Sequence, residues 1–453
     1  MFYLILQDFF QFVKGCYLKM QKNLTNFLEN YEKNNMLRMH MPAHKGKSFI
    51  QKLAPAYAWD ITEIAGADSL FEATGILKQA EQQTAEIYQV PATCWSAGGS
   101  TLCIQAMLAQ MKLENRMVIS ARTVHRAFLN SCILLDLPVK WVFPISGGII
   151  GGRYLLQDFE KALQEVNKPA CIYITSPDYL GNIQDIAGLA KICQKYHAKL
   201  LVDNAHGAHL AFLEQNQHPI ALGADLCCDS AHKTLSALTG GAFLHMKNPD
   251  NLNLIKQHMQ MFGSTSPSYL IMQSLESCTE WLATQGKQAI QVCIERVNKL
   301  KIKLAEKYIL IGNDSMHLTL RVNGVLMADI FRKKYKIECE YADKTCLVFL
   351  LSPVMTEEDF ARLEFACMHC EIIPAEPVPE LPLPLEQVYS MRESALSPWE
   401  LIYLEQAEGR ICAPVQVPCP PAVPIVISGE RLNKNWIDIM KFYDLEKIAV
   451  MCE

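Results

Sequence analysis

The stretch KLLVDNAHGAH, residues 199–209, gives the first indication of the fold. It opens with an apolar run, and a strand that is apolar throughout is typical of a sheet covered on both faces. Similar short runs recur along the chain: MVIS (117–120), VKWVFP (139–144), ACIYITSP (170–177) and AFLHM (242–246). Helical patterns such as IAGLAKICQKYHA (186–198) lie between them. This alternation of strands and helices predicts crossover units and a mainly parallel sheet.

Polar residues follow the end of this strand, where open parallel sheets bind their ligands. Because side chains alternate along a strand, Asp203 and Ala205 face one way and Asn204 the other. A carboxylate and a methyl group on one face could hold the charged end and the flat face of a ring. An aspartate that caps the following turn is an equally good interpretation.

Two further segments place ligand-binding residue types after predicted strands. SAGGST (96–101) opens a helix, and Ser100 and Thr101 at a helix N-terminus are suited to binding a phosphate, although a plain capped helix has the same pattern. His125 in ARTVH follows MVIS and could stack on an aromatic ligand, cap a helix or simply pack.

The segment DSAHKTLSALTGG (229–241) contains Lys233 between small and hydroxylated residues. A lysine is an effective nucleophile only when neutral, which burial and nearby cations favour. Ser230 and His232 are well placed to bind an anion beside it. By itself Lys233 could be a surface charge. Together, an anion cradle, a stacking histidine, an aspartate and a lysine indicate a pyridoxal phosphate site.

At this point the chain resembles the Orn/Lys/Arg decarboxylases, a bacterial group with the aspartate-aminotransferase fold (fold type I). The matching segments extend from about residue 22 onward: HMPAHKG (40–46), DITEIAGADSLF (60–71), GGST (98–101), RTVH (122–125), TSPDYLGNIQDI (175–186), VDNAHGAH (202–209), DSAHKTLSALTGGA (229–242), STSPSY (264–269) and CPPAVPIVISGE (419–430). The resemblance implies an α/β pyridoxal-phosphate-dependent transferase fold with a mainly parallel seven-stranded sheet, helices on both faces and a smaller α+β C-terminal domain. The predicted segments are 1–60, 61–305 (cofactor-binding) and 306–453 (small domain with the family-specific C-terminal segment).

The resemblance also implies residue roles. Lys233 would attach the cofactor covalently, Asp203 would pair with the pyridine nitrogen, and Lys233 or a nearby histidine would return a proton to the substrate. The other implied contacts are Ala205 and His125 on the two faces of the ring, His206 near its oxygen, Ser100, Thr101, Ser230 and His232 on the phosphate, and Ser264 or Thr265 on the cofactor of a neighbouring subunit. The predicted catalytic residues are Lys233, Asp203, His125 and His232.

The chain departs from the family pattern at three places. The family usually has Gly where Ala43 stands, Glu where Asn204 stands, and YPPG where CPPA (419–422) stands, whereas the cofactor-binding set is intact. A basic substrate needs an acidic partner, and ECEYAD offers Glu338, Glu340 and Asp343, which could equally form a solvated edge.

The composition narrows the class of protein. A net charge of −5 argues against a nucleic-acid-binding protein. Seventeen cysteines without a framework predict reduced thiols in the cytoplasm. The pair in CMHC (367–370) favours a helix over a metal site, so no metal is predicted.

Both ends of the chain carry expectations. The first twenty residues are interrupted by charges, so we expect an amphipathic segment or an upstream start before Met20, and no membrane span. HMPAHKG begins at residue 40, which leaves no room for an extra N-terminal domain and predicts the short form of the family. In the C-terminal half, the sequence predicts a long helical stretch around 267–306 and then strands in HLTLRVNG (317–324), IECEYA (337–342) and CLVFLLS (346–352). It also predicts a Pro-rich extended connector (372–387) and a helix in SPWELIYLEQAEG (397–409).

The leading hypothesis is decarboxylation of arginine, lysine or ornithine to an amine in polyamine metabolism, by a cytoplasmic homodimer with a shared active site. One alternative is transamination, in which an arginine such as Arg410 or Arg431 would bind the α-carboxylate. Another is a catalytically silent relative with the same fold.

Overall fold

A seven-stranded sheet forms the centre of the molecule. The computed structural model describes residues 22–415 and 421–452. Its strands lie in the order β1-β7-β6-β5-β4-β2-β3, and only β7 runs against its neighbours. The mainly parallel sheet is therefore confirmed. The strands are β1 (Ala92–Ser96), β2 (Met117–Ala121), β3 (Val139–Val142), β4 (Ala170–Thr175), β5 (Lys199–Asp203), β6 (Leu226–Asp229) and β7 (Ala242–Met246).

Helices cover both faces of this sheet, because its strands are apolar on both sides. In β4, Ile172 and Ile174 belong to one core, and Cys171 and Tyr173 belong to the other. The helices of this part are α1 (Asn23–Lys33), α2 (Ala54–Trp59), α3 (Ile76–Tyr88), α4 (Gly99–Leu113), α5 (Arg126–Leu135), α6 (Leu156–Gln164), α7 (Ile186–Lys195), α8 (Ala231–Thr234), α9 (Leu252–Phe262) and α10 (Tyr269–Trp281).

A smaller α+β unit follows the long helical stretch, as predicted. Helix α10 continues through a single π-helical turn, Leu282–Gly286, into α11 (Lys287–Leu304). Beyond it, an antiparallel sheet has the order β10-β11-β9-β8. Its strands are β8 (Leu310–Ile311), β9 (His317–Leu320), β10 (Tyr341–Ala342) and β11 (Leu347–Leu350), and its helices are α12 (Gly324–Ile330) and α13 (Glu357–His369). The exact domain boundaries stay a prediction.

The C-terminal segment differs from the prediction at one element. SPWELIYLEQAEG is not a helix: β12 (Trp399–Tyr403) pairs antiparallel with β13 (Lys447–Met451). The strand has no local signal, because its partner lies more than forty residues further along the chain. The extended Pro-rich connector is confirmed, and α14 (Met391–Ala395) and α15 (Lys434–Phe442) complete the segment.

The N-terminal helix α1 is fastened to the large unit by a buried carboxylate. Glu276 on α10 accepts hydrogen bonds from the backbone N–H groups of Leu24 and Thr25, both at 2.8 Å. The predictions for the first twenty residues lie outside the described part of the chain. None of the helices in the described part is long and apolar enough to cross a lipid bilayer.

Candidate functional site

A pocket lies beyond the carboxyl ends of β2, β4 and β5, where the sequence placed its candidate residues. Its lining is Ser100, Thr123, Val124, His125, Thr175, Tyr179, Asp203, Ala205, His206, Lys233 and Val423. The parallel strands end at one edge of the sheet, so side chains more than a hundred residues apart in the sequence meet there. The roles assigned to these residues remain predictions.

Lys233 presents its amine to this pocket. Its Nζ lies 2.9 Å from Nε2 of His206 and 5.6 Å from the centroid of the Tyr179 ring. The short helix α8 holds the lysine at the end of β6, and the Lys233 N–H donates to the carbonyl of Ser230 at 3.1 Å. The amine therefore lines the pocket and is not a fully solvated surface charge.

Asp203 is the buried carboxylate of the pocket. It accepts hydrogen bonds from the Tyr173 hydroxyl at 3.3 Å and from the Ala205 N–H at 3.2 Å. Burial raises the pKa of Asp203, and Lys233 counteracts part of that rise. Asn204 faces the other way, where its amide donates to Asp229 at 2.7 Å. The departure at Asn204 therefore leaves the Asp203 side chain in the pocket.

His125 caps a helix, which is one of the interpretations left open by the sequence, and its ring also lines the pocket. Its Nδ1 accepts a hydrogen bond from Ala127 N–H at 3.1 Å and so caps α5, while its ring lines the pocket. Burial first, and then the charges of Lys233 and Arg126, lower the pKa of His125 to about 4. The ring is neutral at physiological pH.

The start of α4 has the features of an anion site. The helix has no side-chain cap, and the Ser230 hydroxyl donates to Ser100 Oγ at 3.0 Å beside its first turn. Thr175 Oγ1 is buried in the pocket lining without a hydrogen-bond partner, so it is available to a ligand. Thr101 is exposed at the same helix start.

Five of the predicted site residues are not in the pocket lining, namely Thr101, Ser230, His232, Ser264 and Thr265. His232 is oriented by a hydrogen bond between its Nδ1 and the Gly241 carbonyl at 3.0 Å. Ser264 and Thr265 lie exposed in the loop between α9 and α10. Their predicted contacts are untested in this single chain.

A C-terminal strap, residues 421–428, contributes Val423 to the pocket. The buried guanidinium of Arg122 donates to the carbonyls of Pro424 and Ile425 at 2.9 and 2.7 Å. The Arg126 N–H donates to the Ala422 carbonyl at 2.8 Å. The sequence motifs RTVH and CPPAVPIVISGE contain both partners, but nothing local to either motif signals this contact.

The sequence also missed a buried network behind His206. His206 Nδ1 lies 3.2 Å from Nε2 of His317, whose Nδ1 lies 2.7 Å from Asp314 Oδ2. The other carboxylate oxygen of Asp314 lies 3.0 Å from Nε2 of His209. The only sequence signal was a polar DSMH segment before the predicted strand HLTL.

A second buried network lies beneath β6. Asp229 Oδ2 is 3.2 Å from Nε2 of His218 and 3.4 Å from Nε2 of His245. These are the side chains of the described part that come nearest to a metal-ligand arrangement. The Ile220 N–H donates to His218 Nδ1, so His218 Nε2 carries a proton toward Asp229.

The three acidic candidates for substrate binding differ in environment. Glu338 is exposed and paired with Arg332. Asp343 is buried and accepts from the N–H groups of Thr345 and Cys346, so it stabilises a turn. Glu340 alone contacts the pocket lining, by accepting from the Tyr179 hydroxyl at 3.4 Å.

Neither arginine considered for an α-carboxylate lines the pocket. Arg410 binds Glu400 and the Met451 carbonyl, and Arg431 binds Glu386 and the Gly409 carbonyl. Both therefore stabilise the C-terminal segment.

Comparison with known proteins gives matches across the chain. The profile of the Orn/Lys/Arg decarboxylase major domain matches residues 22–317, and that of the C-terminal domain matches residues 384–448. The arginine decarboxylase of Bacillus anthracis is 25% identical over 457 residues, covering 91% of this chain and 91% of the relative.

Solved structures agree on the fold. Lysine decarboxylase A from Pseudomonas aeruginosa superposes with a TM-score of 0.80 at 14% identity, covering 95% of this chain and 80% of that one. The serine palmitoyltransferase of Sphingomonas wittichii covers 66% of this chain and 77% of its own, with a TM-score of 0.55 at 14% identity. These likenesses confirm fold type I with a smaller C-terminal unit.

Proposed function

The chain belongs to the Orn/Lys/Arg decarboxylase family and is a decarboxylase, and from this premise we propose that it releases CO2 from arginine, lysine or ornithine with pyridoxal 5'-phosphate bound to Lys233. The observation that carries the proposal is the convergence of the Lys233 amine and the buried Asp203 carboxylate on one pocket. The amine product would enter polyamine metabolism.

The pocket residues fit this cofactor. Lys233 offers an amine for its aldehyde, and the uncapped start of α4 beside Ser100 and Ser230 suits its phosphate. The unpartnered buried hydroxyl of Thr175 suits a ligand with polar atoms. When bound, the protonated pyridine ring withdraws electrons from the bond to the substrate carboxylate.

Asp203 would hold the proton on the ring nitrogen. A charge pair at about 4 Å and an effective dielectric constant near 20 is worth about 4 kcal/mol. That energy corresponds to roughly three pKa units. In the cofactor-free chain burial raises the pKa of Asp203, so a cation at the ring nitrogen would also favour its ionised form.

Neutral and apolar groups would orient the ring and exclude water. His125 and Ala205 are proposed for its two faces, and His206 for the vicinity of its oxygen. Val423 from the C-terminal strap adds an apolar wall to the pocket. His232 is proposed for the phosphate or for the proton returned to the substrate.

Glu340 is the proposed partner of the distal cation of the substrate. It is joined to the pocket through the Tyr179 hydroxyl, whereas Asp343 is engaged by backbone N–H groups and Glu338 by Arg332. A carboxylate beside Tyr179 would select a long basic side chain over a neutral one.

The substrate proposal predicts a difference between two neighbouring glutamates. Glu340→Gln should raise KM for the preferred basic amino acid by about tenfold, since a lost charge-assisted hydrogen bond is worth about 1.5–3 kcal/mol. Glu338→Gln is the matched control and should change KM less than about twofold, because exposed ion pairs contribute little. Steady-state kinetics measure both, and equal KM values for the two variants would exclude Glu340 as the partner.

The reaction itself is tested by supplying arginine, lysine and ornithine and measuring CO2 and amine release. We expect one of the three to be turned over with CO2 and amine in equal amounts, whereas release of a keto acid instead would indicate transamination. Lys233→Ala should abolish turnover and covalent attachment of the cofactor, and the exposed Lys247→Ala should change neither. Turnover at the native rate by Lys233→Ala would contradict the assignment of the lysine.

A cytoplasmic homodimer with a shared active site is part of the proposal. Apolar side chains of the segment before α2 are exposed in the single chain, namely Met36, Leu37, Met39, Met41 and Phe49. We propose that a second copy covers this surface and that Ser264 or Thr265 reaches the cofactor of the neighbouring subunit. Sedimentation measures the dimer, and a monomer at assay concentration would contradict it.

A further inference from the structure

A buried hydrogen-bonded chain leads from Lys233 into the small unit. It passes from Lys233 Nζ to His206 Nε2 (2.9 Å), from His206 Nδ1 to His317 Nε2 (3.2 Å), and from His317 Nδ1 to Asp314 Oδ2 (2.7 Å). The exposed fractions of His206, His317 and Asp314 are 2%, 1% and 0%. The chain therefore connects the amine of the site to a carboxylate sealed from water.

The charge of the Asp314 carboxylate determines which atom donates in each hydrogen bond of the chain. The two histidines that contact Asp314 hold its pKa well below the ordinary value, so it is ionised and only accepts. His317 must then donate from Nδ1, which leaves the Nε2 lone pair to accept from His206 Nδ1–H. Burial lowers the pKa of His206, so its ring is neutral and its Nε2 presents a lone pair to Lys233.

The groups around this chain support neutral imidazoles beside a charged end. The Tyr179 ring lies 4.8 Å from the His206 ring, and the charges of Lys233, His125 and His317 act against a cation on His206. His209 binds the far oxygen of Asp314. His317 therefore pairs directly with a buried carboxylate, whereas His206 lies between His317 and the amine of Lys233.

We propose that His317 and Asp314 act through His206 as a proton store for Lys233, which keeps the lysine available as a neutral amine. The step is balanced: Lys233 gives one proton to His206 Nε2, and His206 gives its Nδ1 proton to His317 Nε2. The lysine becomes neutral, His206 stays neutral with the opposite tautomer, and His317 becomes a cation paired with Asp314. His317 and Asp314 are positioning residues, since neither contacts Lys233 directly.

This inference rests on the proposed function for its purpose. The lysine amine must be neutral to attack an aldehyde and must regain its link after each turnover. Transfer of the Lys233 proton to the buried histidines makes the amine neutral without proton exchange with bulk solvent. The same proton can return to Lys233 by the reverse transfer.

The test measures the reactivity of Lys233 in the cofactor-free full-length chain. Trace labelling with acetic anhydride, followed by mass spectrometry of the Lys233 peptide, gives the rate constant of the neutral amine at each pH. An isolated amine loses about tenfold in rate per pH unit below its pKa. For the wild type we expect a plateau between about pH 6 and pH 8 instead, because the internal transfer is independent of bulk pH. A wild-type rate that falls tenfold per unit throughout this range overturns the proposal.

Variants separate proton storage from packing. His317→Gln keeps an acceptor for His206 but cannot take a proton, so the plateau should vanish and labelling near about pH 7 should slow by at least about tenfold. Asp314→Asn should remove the plateau as well, because it removes the charge that holds the stored proton. His209→Gln is the matched control: it contacts the other oxygen of the same carboxylate, and the plateau should persist. A plateau retained in a folded His317→Gln overturns the proposal.

The labelling requires no cofactor and no turnover, so the two proposals fail separately. A chain that releases no CO2 but shows the His317-dependent plateau would refute the proposed reaction and leave the proton store intact. A chain that releases CO2 but shows no plateau would support the proposed reaction and refute the proton store.

Discussion

At the residue scale, the site is defined by which side chains are kept neutral. Burial lowers the pKa values of His125 and His206, and the nearby charge of Lys233 adds to both shifts. Asp314 is held ionised by two histidines. Neutral imidazoles suit ring stacking and proton acceptance, whereas the ionised carboxylate supplies an orienting charge.

His125 predicts a pH-dependent loss of stability. Its folded pKa of about 4 lies below the ordinary value of 6.5, so the unfolded chain binds a proton at His125 before the folded one does. Stability is full above about pH 6.5 and falls as the pH decreases toward about 4. Between about pH 7.5 and pH 5 the loss due to His125 is about 2 kcal/mol.

Chemical denaturation of the cofactor-free chain measures this loss. His125→Gln should show a smaller decline over the same interval by about 2 kcal/mol, although its lost helix cap lowers stability by about 1 kcal/mol at every pH. Parallel declines in wild type and variant would show that folding does not lower the pKa of His125.

At the element scale, the C-terminal strap depends on one buried arginine. Arg122 sits at the end of β2 and binds two successive carbonyls of residues 424 and 425. Its planar guanidinium donates to both at once, which a lysine ammonium cannot reproduce in this geometry. The strap brings Val423 to the pocket, so its attachment also shapes the site.

Arg122→Lys should loosen this strap. A lost buried hydrogen bond to a charged group is worth about 1.5–3 kcal/mol, which corresponds to at least about tenfold faster amide exchange across the strap. Hydrogen exchange with mass spectrometry of a peptide covering 423–430 measures it. Arg392→Lys is the control, because Arg392 is exposed and binds a single carbonyl, that of Leu134. Unchanged exchange in Arg122→Lys would show that other contacts hold the strap.

At the scale of the whole molecule, the large and small units meet behind the pocket. Gly181 has a φ of +80°, and a Cβ there would lie 2.6 Å from Cβ of His317. The turn after β4 can therefore approach β9 only because it carries a glycine. This approach brings His317 to His206 and completes the buried chain to Lys233.

Gly181→Ala and Gly409→Ala form a matched pair. Both glycines have a φ of +80°, but a Cβ at Gly409 would meet nothing within 4 Å. Gly409→Ala should lower the free energy of unfolding by about 1–2 kcal/mol, the usual left-handed cost. Gly181→Ala should lower the free energy of unfolding by roughly 1–3 kcal/mol more, because its Cβ would force the two units apart. Equal decreases in the free energy of unfolding for the two variants would show that the contact between Gly181 and His317 accommodates a Cβ without destabilising the fold.

Much of the fold was predictable because its signals are local. Apolar runs of strand length alternate with helical patterns, and the order of elements then favours a parallel sheet. The helix predicted at 397–409 failed for the opposite reason: Trp399–Tyr403 is a strand only because β13 lies beside it. Its own residues do not distinguish the two structures.

The candidate site divides in the same way. From the residues alone we predicted the cofactor class and a site containing Ser100, His125, Asp203, Ala205 and Lys233. These residues line one pocket because each follows a strand and parallel strands end at one edge. The folded structure was needed to show that Arg122 holds the strap, that Glu340 is the acid next to Tyr179, and that Asp314 and His317 lie behind His206. Those contacts join segments more than a hundred residues apart in most cases, and hydrogen bonds of that kind depend on how packed units meet, which no local pattern records.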